Sequence, residues 1–558
     1  MILRLGVILT IVTFVVLNIV ACTNPTQQTA APWQADLGNG YYQNPILYAD
    51  YSDPDVVAVD GDYYMTASSF NAAPGLPILH SKDLVNWQLI NHALPVQVPE
   101  PHFSQPRHGE GVWAPNIRYH DEQFWIFYPD PDFGIYVVTA KDPKQEWSKP
   151  RLILVGQGLI DPTPLWDDDG KAYLLHGWAK SRAGINNILT LHEMTTDASV
   201  VAPQGEIIID GHQIPGYKTL EGPKFYKRNG YYYIFAPAGG VPVGWQTVFR
   251  ATNIQGPYEH KTVMEQGDTL TNGPHQGAWV TTPAKEDWFL HFQSKTAYGR
   301  IVHLQPMSWQ NDWPVIGVDA DHDGIGNPVR FYAKPKGPVQ NISNLPFSDD
   351  FSASTLALQW QWNANYQDDW YSLSANKGQL RLFAQPDIAP ETHNLWLNPA
   401  ILLQKLPAPE FIVQTTMNIG PDSDNISAGL IMFGEDYRWI GMQKTEGKAM
   451  LGFAECKNTR QDCTEHFKAQ VEWPSDTVTL RFTVSAGGVV TSGYVDSQGR
   501  FQTFDELFQA RAGRWVGAKV GLFARLNQGQ TRAVQHYADF TEFNFSLPHP
   551  CCTQKSKF

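Results

Sequence analysis

Apolar residues along this chain come in short runs that alternate with polar ones. Phe411-Ile412-Val413-Gln414-Thr415-Thr416 and Val478-Thr479-Leu480-Arg481-Phe482 are examples, and long helical periodicity is scarce. Period-two alternation predicts strands with one buried face. Asp60-Gly61, Asp169-Gly170 and Asn229-Gly230 stand between such runs and are strong hairpin signals. The N-terminus breaks this pattern. After Arg4, residues 5–20 are mainly apolar, and Ile19-Val20-Ala21-Cys22 is followed by the polar Thr23-Asn24-Pro25. A short apolar run ending in small residues reads as an export signal.

Within the first 330 residues one unit recurs: an acidic, small or amide residue, then Pro or Gly, a short strand, a turn, and an aromatic-rich strand. Its copies begin at Asp53-Pro54, Ala114-Pro115, Asp161-Pro162, Glu221-Gly222 and Gln276-Gly277, spaced 47 to 61 residues apart. Each interval has room for a four-stranded antiparallel sheet, and five such sheets arranged radially make a β-propeller. The expected fold class is therefore all-β: a five-bladed β-propeller over 41–334, followed by an antiparallel β-sandwich. The first strand of every propeller blade lines the central axis, so equivalent positions face one cavity. Three of the five starts are acidic: Asp53, Asp161 and Glu221.

Three convergent carboxyl groups suit cleavage of a glycosidic bond. One group protonates the leaving oxygen and another acts at the sugar carbon. Burial and neighbouring charge drive their pKa values apart, and a third acid sets that difference. Singly, an Asp before Pro is more often a turn device; the coincidence at equivalent repeat positions is what points to chemistry. Trp113, beside a repeat start, and Phe70 are candidates for an aromatic pocket wall against a sugar face.

Composition narrows the field. Length, at 558 residues, asks for two or three domains. With 42% hydrophobic and 17% charged residues the chain is globular, and a net charge of −14 disfavours nucleic acid as a partner. The branched-small-Cys ending resembles a bacterial lipobox. It implies a signal over 1–22, lipidation of Cys22, a flexible tether over 23–40, and a place on the bacterial cell envelope anchored in the membrane by its acyl chains. Under oxidising conditions Cys456 and Cys463, which bracket a short polar segment, are expected to form a disulfide. Cys551 and Cys552 are adjacent in the tail over 549–558, where pairing with each other would be strained.

Several motifs together resemble glycoside hydrolase family 43. They are Tyr51-Ser52-Asp53-Pro54-Asp55, Pro74-Gly75-Leu76-Pro77, His80-Ser81-Lys82-Asp83-Leu84, Val112-Trp113-Ala114-Pro115, Leu159-Ile160-Asp161-Pro162 and Leu220-Glu221-Gly222-Pro223. The resemblance implies an inverting mechanism with Asp53 as general base, Glu221 as general acid, and Asp161 tuning and orienting that acid. It implies that Arg300 contacts the sugar and the acid pair, and that His275 is an axial histidine facing water or a calcium ion. No cofactor is implied for the chemistry; a structural calcium ion is the one metal it allows. Asp319-Ala320-Asp321-His322-Asp323-Gly324 has the acids of a calcium loop, but Arg330 stands where an EF-hand needs Glu, and a hydrated turn is expected.

After a Pro-containing linker over 335–346, the runs in 347–548 read as the sandwich. They resemble the jelly-roll, concanavalin A-like domain that follows the propeller in β-xylosidases of the family, where a sandwich loop closes the pocket. The expected activity is exo-acting release of a terminal pentose, β-D-xylose or α-L-arabinofuranose, from plant xylan- or arabinan-type oligosaccharides. The alternatives are an endo-arabinanase, which would need an open groove, and a non-catalytic glycan-binding lipoprotein, which would have lost an acid. Ser52 before Asp53 argues against the retaining fructan hydrolases, which carry Asn there.

Overall fold

A computed structural model describes residues 31–548 apart from Val339, Asp462 and 528–534. The signal, Cys22, and the cysteines of the tail lie outside the described residues.

Among the described residues, five four-stranded antiparallel sheets follow one another in sequence order. Their innermost strands are Asp55–Val59, Asn116–His120, Leu159–Trp166, Lys224–Arg228 and His275–Thr281, one per expected repeat. The hairpins form where the turn pairs stand. Asp60 and Gly61 take φ of 51° and 87°, and Asn229 and Gly230 take 51° and 79°. Two successive positive φ values match the twist of the flanking strands, which is why Asp or Asn followed by Gly occupies them.

The propeller's apolar clusters lie between neighbouring blades. Ile78, Ile117, Ile126 and Val138 join blades 1 and 2, while Phe235, Val248, Phe289 and Ile316 join blades 4 and 5. Ring closure between blades 5 and 1 comes from the chain entering blade 1. Leu47 bridges Val302, and Tyr42 Oη and Asn44 Nδ2 both donate to the Leu304 carbonyl, at 2.9 and 2.8 Å.

The segment expected as a flexible tether is corrected over its described part, 31–40. Ala35 and Asp36 are buried, Asn86 Nδ2 donates to Asp36 Oδ2, and Lys334 pairs with both Asp36 and Asp83. A buried carboxylate bonded by Asn86 and Lys334 ties this stretch to blade 1. The linker is docked as well: Ser343 N–H donates to Asn86 Oδ1, and Leu345 is buried in the cluster between blades 5 and 1.

The second domain packs a seven-stranded sheet on an eight-stranded one. Phe411–Ile419 alternates buried and half-buried residues along its length, as its sequence predicts. The Cys456–Cys463 disulfide is formed. The sandwich core does not stop at the domain boundary: Tyr48, Ala297, Tyr298 and Ile301 of the propeller belong to it. Polar contacts reinforce the seam. Asn71 Nδ2 donates to the Asn363 carbonyl (2.7 Å), and Tyr298 Oη donates to that of Pro409 (2.6 Å).

Candidate active site

Each acid stands where its blade's innermost strand begins, at a backbone distortion. Asp53 and Asp161 have φ of 55°, Gln276 has 41°, and Glu221 is followed by Gly222 at 60°. The ladders slip between Ile160 and Thr163 and between His275 and Gly277. A left-handed residue interrupts the pleat, and bulges of this kind re-aim side chains next to active sites. Asp tolerates the conformation better than most residues. Around Gly222 there is no room for a side chain, since a Cβ would lie 2.7 Å from Gln276 Cδ.

These devices bring Asp53, Asp161 and Glu221 to one cavity of about 270 Å³, whose wall includes Phe70, Trp113, Arg300, Gln276 and Trp515. Asp53 is 4% exposed and is surrounded by donors. Ser52 Oγ and Ser68 Oγ each donate to its Oδ2 at 2.6 Å, and Arg300 Nη1 donates to both carboxylate oxygens at 2.8 and 2.9 Å. Such charge-assisted bonds fix the carboxylate as an acceptor. Arg300, expected against the acid pair, is thus anchored on Asp53, and its guanidinium lies over the Phe292 ring.

Asp161 is 5% exposed, and its Oδ2 accepts the Gly222 N–H at 2.7 Å. Desolvation, then the neighbouring Glu221 carboxylate and, less strongly, Asp53 push it up to about 8, while the Gly222 N–H and Lys224 oppose the rise. Burial beside a second carboxyl thus favours the protonated form of Asp161. Glu221 Oε1 lies 3.2 Å from His275 Nε2.

His275 is fully buried. Among the described residues no trio of His, Cys, Asp and Glu close enough to share an ion includes it. The geometry makes His275 a partner of Glu221. Asp319, Asp321 and Asp323 do gather, with ligand atoms within 4.8 Å of one another. They form a turn in which Gly324 N–H donates to Asp319 Oδ2 (3.0 Å), and they line no part of the active cavity.

Trp113 and Phe70 both line the cavity, with ring centroids 6.1 Å apart. Phe70, only 3% exposed, is also core. Gln276 and Trp515 are among the wall residues that the sequence reading of the site does not include. Gln276 is buried, with no partner for its Nε2, so that N–H group is free for a ligand. It is the fifth repeat start, and the equivalence that marked the acids could have marked it too. Trp515 comes from the sandwich. Its ring centroid stands 6.2 Å from that of Trp113 and its φ is 63°; no repeat or local motif announces it.

Comparison with known proteins agrees with this geometry. Residues 42–314 match the profile of glycosyl hydrolases family 43, and residues 348–546 match the β-xylosidase C-terminal concanavalin A-like domain. A putative β-xylosidase of Xylanibacter ruminicola is 40% identical over 411 residues, 73% of this chain and 74% of that protein. A β-xylosidase of Formosa agariphila is 30% identical over 579 residues, covering 91% and 93% of the two chains. In fold, the chain superimposes on a xylan β-1,4-xylosidase of Bacillus halodurans with a TM-score of 0.79 at 24% identity, over 90% of this chain and 99% of the other. With acids from three blades in one pocket, and relatives matched across both domains, the chain belongs to glycosyl hydrolase family 43 and is a glycosidase.

Proposed function

We propose that the protein is an exo-acting, inverting hydrolase that removes a terminal pentose from xylan- or arabinan-type oligosaccharides. The observation that carries this reading is the meeting of three acids from three blades, Asp53, Asp161 and Glu221, in one small cavity, where Asp53 is bonded only by donors and burial raises Asp161.

Asp53 takes a proton from water, whose oxygen attacks the anomeric carbon. Glu221 gives its proton to the glycosidic oxygen as that carbon–oxygen bond breaks. Attack from the face opposite the leaving group inverts the configuration. Asp161, whose Oδ2 accepts the Gly222 N–H, holds the backbone beside Glu221 and so orients that acid. His275 orients Glu221, and Arg300 with the two serine hydroxyls orients Asp53. Gln276 Nε2 supplies a donor to a sugar hydroxyl. The wall of Phe70, Trp113 and Trp515 makes a pocket for one terminal unit where an endo-acting enzyme needs a groove.

The relatives named β-xylosidase favour β-D-xylose over α-L-arabinofuranose. Paired nitrophenyl β-xyloside and α-arabinofuranoside substrates test the choice. A higher kcat/KM on the xyloside is expected, and a clear preference for the arabinofuranoside reverses the assignment. Proton NMR of the first-formed sugar tests inversion: β-xylose as initial product would refute it. The lipobox-like sequence supports acylation of Cys22 and residence on the bacterial cell envelope. Cys22→Ser is expected to move the protein from the detergent phase to the aqueous phase, and an unchanged partition would dismiss the anchor.

A further inference from the structure

Asp50 stands three residues before Asp53, is 5% exposed, and has no part in the chemistry above. Its two oxygens reach both domains. Oδ1 accepts the N–H of Arg300, and Oδ2 accepts the N–H of Gly517, each at 2.8 Å. The first bond holds the backbone of the residue whose guanidinium grips Asp53. The second holds the sandwich loop two residues beyond Trp515, which lines the sugar cavity.

The surroundings are built for this approach. A Cβ on Gly299, whose φ is 74°, would run into Asp50 Oδ1, and one on Gly517 would lie 2.8 Å from the Tyr298 carbonyl carbon. Next to them, Ala518 N–H donates to the Ala297 carbonyl at 2.7 Å. Two lysines of the sandwich, Lys405 and Lys519, feel the charge of Asp50; burial lowers both, Lys519 to about 7, and Asp50 opposes that lowering. The ring of Tyr51 lies beneath Lys405.

We propose that Asp50 is a positioning residue that couples the Trp515 loop of the sandwich to the Arg300–Asp53 pair, making the sandwich a working part of the active site. The inference rests on Asp53 being the general base. Only a carboxylate satisfies both N–H groups. The amide of an asparagine has one acceptor oxygen, and its NH₂ would face the other N–H, so one of the two bonds must fail.

The test uses the full chain, four single variants and one double variant. Asp50→Asn is expected to lower kcat/KM about 100-fold, the scale of a displacement of about 1 Å in a catalytic site. The loss should divide between a lower kcat, through Arg300, and a higher KM, through Trp515. Acrylamide quenching, with Trp515→Ala subtracted to isolate that ring, should show Trp515 more accessible in Asp50→Asn. Asp50→Asn/Trp515→Ala should have a KM no higher than Asp50→Asn alone, because coupled positions are not additive. Gly517→Ala strains the same link from the sandwich side with Asp50 intact, and should reproduce the split even if Asp50→Asn fails to fold. Additive KM effects, or wild-type kcat and quenching in Asp50→Asn and Gly517→Ala, would overturn the coupling. Asp53→Asn separates this from the underlying reading. If Asp53→Asn is inactive while the other two behave as wild type, only the coupling falls; if Asp53→Asn turns over normally, the base assignment falls first.

Discussion

Replacing Asp161 by Asn is expected to stabilise the protein while disabling it. The carboxyl of Asp161 rises from 3.8 to about 8 in the folded chain, chiefly through desolvation and then through Glu221 and Asp53. Between those two values the folded state binds a proton that the unfolded state releases, so stability falls as pH rises across this window. At pH 7 the penalty is at most about 4 kcal/mol, taking about 1.36 kcal/mol per pH unit from 3.8 upward. Relaxation around the ionised group reduces it, and a gain of about 1–3 kcal/mol is the expectation. Asparagine keeps the acceptor for the Gly222 N–H (2.7 Å) and removes the charge that two neighbouring carboxylates oppose. Thermal unfolding of wild type and Asp161→Asn from pH 4 to pH 8 measures the difference. It should be near zero at pH 4, grow with pH, and level off above about 8, giving a Tm several degrees higher in the variant at pH 8. On the same samples kcat should fall about 10²–10⁴-fold, the usual contribution of a positioned acid. A difference in Tm that does not change with pH, or a variant less stable than wild type at pH 8, would refute the claim that the fold raises the Asp161 carboxyl.

Glu221→Gln keeps the shape of the acid but cannot deliver a proton; turnover of xylosides with poor leaving groups should fall by at least about 10³-fold, while calorimetry still detects bound xylose. A much smaller loss on a nitrophenyl leaving group would identify the acid, because such a group needs little protonation. Gly222→Ala forces a Cβ against Gln276 at a φ of 60°; it should destabilise by about 1–3 kcal/mol and raise KM, as read by urea unfolding and steady-state kinetics. Arg300→Met removes a cation that bonds both oxygens of Asp53; kcat/KM should fall about 10²-fold, and an unchanged value would separate Arg300 from the base.

The blades could be read before any coordinates because their signals are local. An Asp-Gly or Asn-Gly turn needs only its own two residues and their flanking strands, and period-two alternation needs only one strand. Repetition then supplied the long-range information, since equivalent positions in a radial array share an axis. Asp53, Asp161 and Glu221 were found in that way. Gln276 satisfies the same rule but carries no charge, so only its position in the repeat marks it.

Tertiary structure decided what depends on surfaces meeting. Asp36 is fixed because Asn86 and Lys334 close on it, although the stretch around it is rich in glycine and reads as a tether. Arg300 reaches Asp53 across 247 residues of chain, a pairing set by the closure of blade 5 on blade 1. Trp515 enters the pocket only because the sandwich core extends over Tyr48 and Tyr298 and brings Gly517 to Asp50. Short-range conformational preference is written in neighbouring residues. The last wall of this active site comes from two domains burying apolar surface against each other, and that register belongs to the folded whole.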